Sequence, residues 1–158
     1  MEKTYSRIYI HFIFGTKNSQ KLIKPENEKR LWSYIGAIGK RMGVNPIAIG
    51  GHQDHLHLLL SVPQNLSVSF IMQKLKGRSS KWMNDTFYPQ QRKFRWQPGY
   101  TAFSVGHSQK QRVVDYIRNQ NQRHKTISFQ EECQMFLERH QVELKKTRPV
   151  KMVEKTGT

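Results

Sequence analysis

Residues 50–62, GGHQDHLHLLLSV, place two histidines at the start of an apolar run that is typical of a buried strand. Side chains at positions i and i+2 of a strand point to the same face, so His55 and His57 project together and Leu56 and Leu58 face the other way. Two neighbouring imidazoles can chelate a divalent metal, but the pattern also fits two polar residues that face solvent or a helix. Asp54 precedes the pair and is not assigned as a ligand.

The elements around this strand follow the order β-α-β-β-α-β, with two further helices at the end. Residues 6–16 alternate in the manner of a strand, and residues 25–42 carry apolar side chains at helical spacing. A short second strand precedes an expected turn at Gly50 and Gly51. The remaining expected elements are a helix over 68–84 capped by Ser67, two short strands around 98–99, a helix over 109–123 capped by Ser108, and a helix from a Ser128–Glu131 capping box to about 140. This order predicts an α+β fold of the ferredoxin-like type, an antiparallel sheet with two helices on one face.

Length and composition favour a single domain over residues 1–145, followed by a charged, loose tail at 146–158. The single cysteine, Cys133, rules out an intrachain disulfide and fits a reducing cytoplasm. No apolar run approaches the roughly 18 residues that a membrane span requires. The N-terminal residues are expected to be structural and not a signal peptide. We therefore expect a cytoplasmic protein without a membrane partner.

Charge is the strongest global signal. Lysine and arginine number 27 against 11 acidic residues, a formal net charge of +16. Nucleic acid is the commonest partner for such an excess. The expected DNA contacts are Lys74, Lys76, Arg78, Lys81, Arg92, Lys93 and Arg95. Trp82 and Trp96 lie among these residues and can either stack on unpaired bases or pack in a core or dimer contact.

A second chemical pattern lies in the helix expected over 109–123. Tyr116 and Gln120 are four residues apart and so share one stripe of that helix. A glutamine oxygen can bind a hard cation. If Gln120 joins the two histidines on one metal, Tyr116 lies one turn away, where its phenol can attack a phosphodiester. Taken singly, a tyrosine such as Tyr116 is more often a packing residue, and His107 fits either a turn residue or a neighbour of the phosphate.

Together, residues 50–62 and 99–132 resemble the TnpA-type single-tyrosine HUH transposases, which move insertion sequences as single-stranded DNA. The most specific parts are His55-Leu56-His57 and Tyr116 followed by Gln120, and the similarity covers roughly residues 5–140. The resemblance implies a ferredoxin-like fold close to that of RNA-recognition domains, with C-terminal helices that carry the catalytic tyrosine. It also implies that Tyr116 is the nucleophile of a metal-dependent single-strand DNA endonuclease and strand transferase.

The same resemblance implies the cofactor and the partners. His55, His57 and Gln120 would hold Mg²⁺ or Mn²⁺, and cleavage would leave a 5′-phosphotyrosine. The enzyme would be a homodimer that recognises subterminal DNA hairpins, in a bacterial or archaeal cytoplasm and nucleoid-associated when active. Two alternatives remain open: a domain of this fold that binds hairpin DNA or RNA without cutting it, and a domesticated relative that acts on chromosomal palindromes.

Overall fold

The computed structural model describes residues 3–142 of the chain. Its four strands are β1 (Tyr9–Gly15), β2 (Asn45–His52), β3 (His55–Ser61) and β4 (Thr101–Val105). They form one antiparallel sheet in the order β2-β3-β1-β4. The helices α1 (Glu28–Arg41) and α2 (Val68–Phe87) connect β1 to β2 and β3 to β4. The predicted ferredoxin-like fold is confirmed.

The chain divides into two compact units, residues 1–125 and 126–158. The first contains the sheet, α1, α2 and two short helices, α3 (Lys110–Arg118) and α4 (Gln120–Arg123). In the second, the described residues form α5 (Phe129–Arg139), which begins with the predicted capping box. The predicted domain boundary at 145 and the tail at 146–158 lie outside the described residues. Within residues 3–142, no helix combines the length and apolar character needed to cross a membrane.

One face of the sheet packs against α1 and α2 and forms the larger apolar core. Alternate residues of β1 and β3 supply it, and each points to the same side because the strand period is two. The fully or nearly fully buried members on these four elements include Phe12, Phe14, Leu56, Leu58, Leu60, Leu31, Ile35, Ile71 and Leu75. The intervening residues of β1 and β3 therefore lie on the opposite face.

That opposite face is covered by α3. Tyr9, Ala48 and Leu59 of the sheet form a second, smaller apolar cluster with Val114 and Ile117 of α3. The first of the two helices added after the ferredoxin-like unit therefore builds a layer over the face that carries the histidines of β3.

Gly50 and Gly51 lie inside β2, so the predicted turn at these positions is wrong. The strand continues to His52, and the turn is formed by residues 53–54. The two glycines serve close packing instead of a turn. A Cβ on Gly50 would lie 2.4 Å from the carbonyl oxygen of Ile117, and one on Gly51 would lie 2.3 Å from that of His55.

We expect Gly50→Ala to destabilise the protein, because the atom it would meet belongs to the backbone of α3. Overpacking of this kind costs about 1–3 kcal/mol. Gly77 provides the matched control, since it lies in α2 with open space around it; Gly77→Ala should stabilise by about 0.5–1 kcal/mol. The free energy of unfolding in urea measures both. A Gly50→Ala variant as stable as the native protein would show that α3 does not approach β2 this closely.

Three predicted local features differ from the structure. The helix expected over 109–123 is interrupted at Asn119, whose φ of −100° and ψ of 22° lie outside the helical region. Asparagine competes with the backbone for hydrogen bonds and favours such breaks. Ser108 caps no helix, because it lies within a short 3₁₀ turn that precedes α3. Before Pro98, only an isolated bridge between Thr16 and Trp96 forms in place of a strand.

Candidate active site

His55 and His57 lie side by side on the face of β3 that α3 covers. Both are fully buried, and their ring centroids are 5.3 Å apart. The leucines that flank His57 point into the core on the other side of the sheet. The predicted shared orientation is confirmed, and the burial excludes the alternative in which the two imidazoles face solvent. Buried imidazoles need partners for their ring nitrogens.

Asp54 supplies the partner of His55. Its Oδ1 lies 2.8 Å from Nδ1 of His55. An ionised carboxylate only accepts hydrogen bonds, so Nδ1 carries a proton and donates it. Burial alone would raise the pKa of the Asp54 carboxyl, but the hydrogen bond from His55 and the charges of His55 and His52 together lower it. Asp54 is therefore ionised and fixes the tautomer and orientation of His55 from outside the site.

His11 plays the corresponding part for His57. It lies on β1, diagonally across from His57, because Ile13 is the residue that pairs with His57. Its Nε2 is 2.8 Å from Nδ1 of His57, and both residues are buried. One ring donates and the other accepts in this bond. His57 is thus held through Nδ1, which directs Nε2 away from His11.

Gln120 reaches His55 from the helical layer. Its Oε1 lies 2.6 Å from Nε2 of His55, and its side chain is buried. Nδ1 of His55 already donates to Asp54, so a neutral ring would turn a lone pair toward the glutamine oxygen. Two acceptors cannot hydrogen-bond to each other, so this contact requires a second proton on the imidazole, a Gln120 amide turned to donate through its nitrogen, or a cation that both residues bind. A buried nitrogen and oxygen that converge in this way fit a divalent metal.

Tyr116 lies beside His57, on the neighbouring helix. The two ring centroids are 5.6 Å apart in an edge-on arrangement, and the phenol is partly exposed. The guanidinium carbon of Arg123 lies 4.6 Å from the centroid of the Tyr116 ring. One chain therefore brings together the tyrosine, both histidines and Gln120, as predicted, even though the helix breaks between Tyr116 and Gln120.

The predicted DNA contacts lie elsewhere. Lys74, Lys76, Arg78 and Lys81 are on α2, which packs on the sheet face opposite the histidines. Lys76 donates to the carbonyls of Gln97 and Gly99, and burial lowers its pKa. Lys81 and Arg92 both pair with Asp85, while Lys93 and Arg95 are exposed. Trp96 is buried in the core, and Trp82 stacks on Tyr34, so both tryptophans make packing contacts.

Two residues of this site were not assigned from the sequence. His11 could be placed on the correct face of its strand, but its partner depends on the pairing of β1 with β3. His124, whose Nε2 lies 3.1 Å from Oε1 of Gln120, follows that glutamine by four residues. The spacing from Tyr116 through Gln120 to His124 is the signal that could have found it.

Comparisons with known proteins identify the family of the chain independently of this geometry. The model of a family described as IS200-like transposase matches residues 4–120, well over half of the chain. The chain belongs to the IS200-like transposase family. The predicted similarity to TnpA-type transposases is thereby confirmed, and with it the general activity of a DNA transposase.

Curated relatives and solved structures support the assignment. This transposase is 29% identical over 114 residues to the transposase for insertion sequence element IS200 from Salmonella typhimurium, across 70% of this chain and 74% of the relative. It is 26% identical over 116 residues to the ISDra2 transposase TnpA of Deinococcus radiodurans, across 70% and 82%.

Two solved structures share its fold. A candidate transposase from Deinococcus radiodurans R1 has a TM-score of 0.61 at 24% identity and covers 76% of this chain and 98% of its own. A REP-associated tyrosine transposase bound to a REP hairpin has a TM-score of 0.59 at 15% identity, with 80% and 74% covered.

Proposed function

We propose that this transposase cleaves and rejoins single-stranded DNA at insertion-sequence ends, with Tyr116 as the nucleophile. One observation carries the proposal: Tyr116 lies against His57 while Gln120 reaches His55, within a single chain. A non-catalytic binding domain has no use for a tyrosine beside a buried set of metal-ligand side chains. The net charge of +16 supports a nucleic-acid substrate.

In the proposed reaction the Tyr116 oxygen attacks the phosphorus of one phosphodiester. The new bond joins the tyrosine to the 5′ side of the break, and the bond from phosphorus to the 3′ oxygen breaks. The phenol loses its proton and the departing oxygen gains one, which leaves a free 3′-hydroxyl. Because the phosphotyrosine ester conserves the energy of the broken bond, a 3′-hydroxyl can later attack it, re-form the DNA and release the tyrosine.

His55, His57 and Gln120 would hold Mg²⁺ or Mn²⁺. The fit rests on the convergence of Nε2 of His55 with Oε1 of Gln120, and on the Nδ1 contact that holds His57. When bound, the ion would withdraw negative charge from the phosphate. The role of the surrounding protein is to fix the ligands: Asp54 orients His55, and His11 orients His57.

We expect His11→Phe to lower the affinity for Mn²⁺ by about 10–100-fold, the usual effect of losing an outer partner of a ligand histidine. Phenylalanine keeps a ring in place but leaves Nδ1 of His57 without its hydrogen bond. His11→Asn can restore that bond and should recover part of the affinity. Isothermal titration with Mn²⁺ measures the change, and thermal unfolding of each variant checks its fold. Native Mn²⁺ affinity in a folded His11→Phe variant would remove His11 from the site.

The proposed partners follow from the same transposase activity. We propose that the DNA carries subterminal hairpins and that the enzyme acts as a homodimer in the cytoplasm of a bacterium or archaeon, on the nucleoid when active. The related tyrosine transposase was solved bound to a REP hairpin, which supports a hairpin substrate here. The alternative is a domesticated or non-catalytic protein that binds hairpin DNA or RNA, which would retain binding without strand transfer.

A covalent-adduct assay tests the proposal. The protein is incubated with labelled single-stranded DNA from the ends that flank its own gene, with Mg²⁺ and with EDTA, and is resolved under denaturing conditions. We expect a labelled band at the mass of the protein plus DNA that disappears in EDTA. Hairpin binding with no such band would favour the non-catalytic alternative.

A further inference from the structure

A group of basic side chains surrounds the phenol of Tyr9, at the end of β1 far from Gly15. Nη1 of Arg7 donates to the Tyr9 oxygen at 3.1 Å, and that oxygen lies 3.4 Å from Nδ1 of His107. The rings of Tyr9 and His107 stack with centroids 6.0 Å apart, and Nζ of Lys110 lies 5.4 Å from the Tyr9 centroid. We call these four residues the Tyr9 cluster.

The cluster is electropositive. Among residues 3–142, none of its basic side chains forms an ion pair with a carboxylate. The hydrogen bond from Arg7 lowers the pKa of the Tyr9 phenol. Burial opposes this shift, and the charges of Arg7 and Lys110 add to it. Gathered cations repel one another unless an anion binds between them.

We propose that the Tyr9 cluster binds a phosphodiester of the single-stranded DNA substrate, away from the phosphate that Tyr116 attacks. A guanidinium and an ammonium are the usual phosphate ligands, and imidazole and phenol can add hydrogen bonds. Arg7 and His107 are exposed and so accessible to a strand. The proposal rests on the proposed function, because it assigns a second contact to the same substrate.

The position of the cluster fits this role. Tyr9 precedes Ile13, the partner of His57, by four residues of β1, which corresponds to about 13 Å along a strand. Lys110 precedes Tyr116 by six residues, or about 9 Å along a helix. Stacked DNA advances about 3.4 Å per nucleotide. The bound phosphate should therefore lie roughly three to four nucleotides from the scissile one.

The salt dependence of binding tests the proposal without requiring cleavage. Two variants are made in the Tyr116→Phe protein, which cannot cleave. The cluster variant adds Arg7→Gln and Lys110→Gln. The control pair adds Lys40→Gln and Arg41→Gln, which removes the same charge from the end of α1. Each contact to single-stranded DNA contributes about 0.7 to the slope of log affinity against log salt. We expect the cluster variant to lose about 1.4 from the slope and the control pair to lose much less. Equal slopes would overturn the proposal.

A length series locates the contact. Oligonucleotides that end two or eight nucleotides from the cleavage site, on either side, are bound to both proteins. The cluster variant should differ from the control only with the longer extension on one side, and a defect independent of length would overturn the proposed position. Inorganic phosphate forms a separate arm: if it binds the cluster while the DNA slope is unchanged, the site serves a free anion. If the native protein forms no adduct but the cluster variant and the control pair still differ in slope, cleavage is refuted and the phosphate contact stands.

Discussion

Tyr116→Phe is expected to reduce covalent adduct formation with single-stranded DNA by about 10⁴-fold or more, because it removes the attacking oxygen itself. The phenylalanine ring can keep the edge-on contact with His57 and the contact with Arg123. DNA affinity should therefore stay within about twofold of native, since the deleted hydroxyl contributes to chemistry and not to charge. Adduct formation is measured in single turnover with labelled DNA, and affinity is measured by anisotropy.

Tyr5→Phe is the matched control, since Tyr5 is 85% exposed and outside the site; it should form the adduct normally. Mass spectrometry of the digested adduct should place the nucleotide on the peptide that contains residue 116. An adduct formed by the Tyr116→Phe protein would assign the nucleophile to another side chain. Mixing Tyr116→Phe with His57→Asn protein adds a further test: recovered activity would show that the tyrosine of one subunit serves the histidines of another.

His55→Asn and His57→Asn are each expected to abolish Mn²⁺ binding at this site and to reduce cleavage by about 10³-fold or more. Both side chains are buried and held through Nδ1, so asparagine supplies neither the geometry nor the basicity of the lost nitrogen. Mn²⁺ binding is followed by electron paramagnetic resonance, which does not depend on turnover. DNA cleavage by the native protein in EDTA should fall to the level of the variants.

His140→Asn is the control for these variants, because it removes an exposed imidazole that is not one of the proposed ligands. It should bind Mn²⁺ and cleave DNA as the native protein does. Thermal unfolding separates loss of metal from loss of fold in the buried variants. Full cleavage in EDTA, or native Mn²⁺ binding by folded His55→Asn protein, would show that these histidines do not hold a catalytic ion.

The parts of the site that follow a short-range period could be predicted from sequence. The strand period places His55 and His57 on one face, and a spacing of four residues brings Tyr116 and Gln120 to the same side. The second survives a break in the helix at Asn119, because the residues around it keep a nearly helical path. The spacing therefore predicted the side-chain positions correctly even though the prediction of one continuous helix was wrong.

The parts that depend on pairing between distant strands could not be predicted. Gly50 and Gly51 have the composition of a turn, and only the close approach of Ile117 to Gly50 and of His55 to Gly51 shows why glycine is needed inside a strand. His11 meets His57 through the register of β1 against β3, which no local pattern reveals. The basic side chains of α2 contribute to the net charge that favours a nucleic-acid partner. Net charge alone does not show on which face of the sheet these side chains lie.

The alternation along β3 makes both the core and the site depend on the same strand register. Even positions from Leu56 onward fill the core, and His55 and His57 on the odd positions face α3. Inserting or deleting one residue in the two-residue turn before His55 would exchange the two sets, burying imidazoles among leucines and presenting leucines to the DNA. Length changes in that short turn should therefore be as damaging as loss of a ligand, and natural length variation in this protein should be confined to other loops.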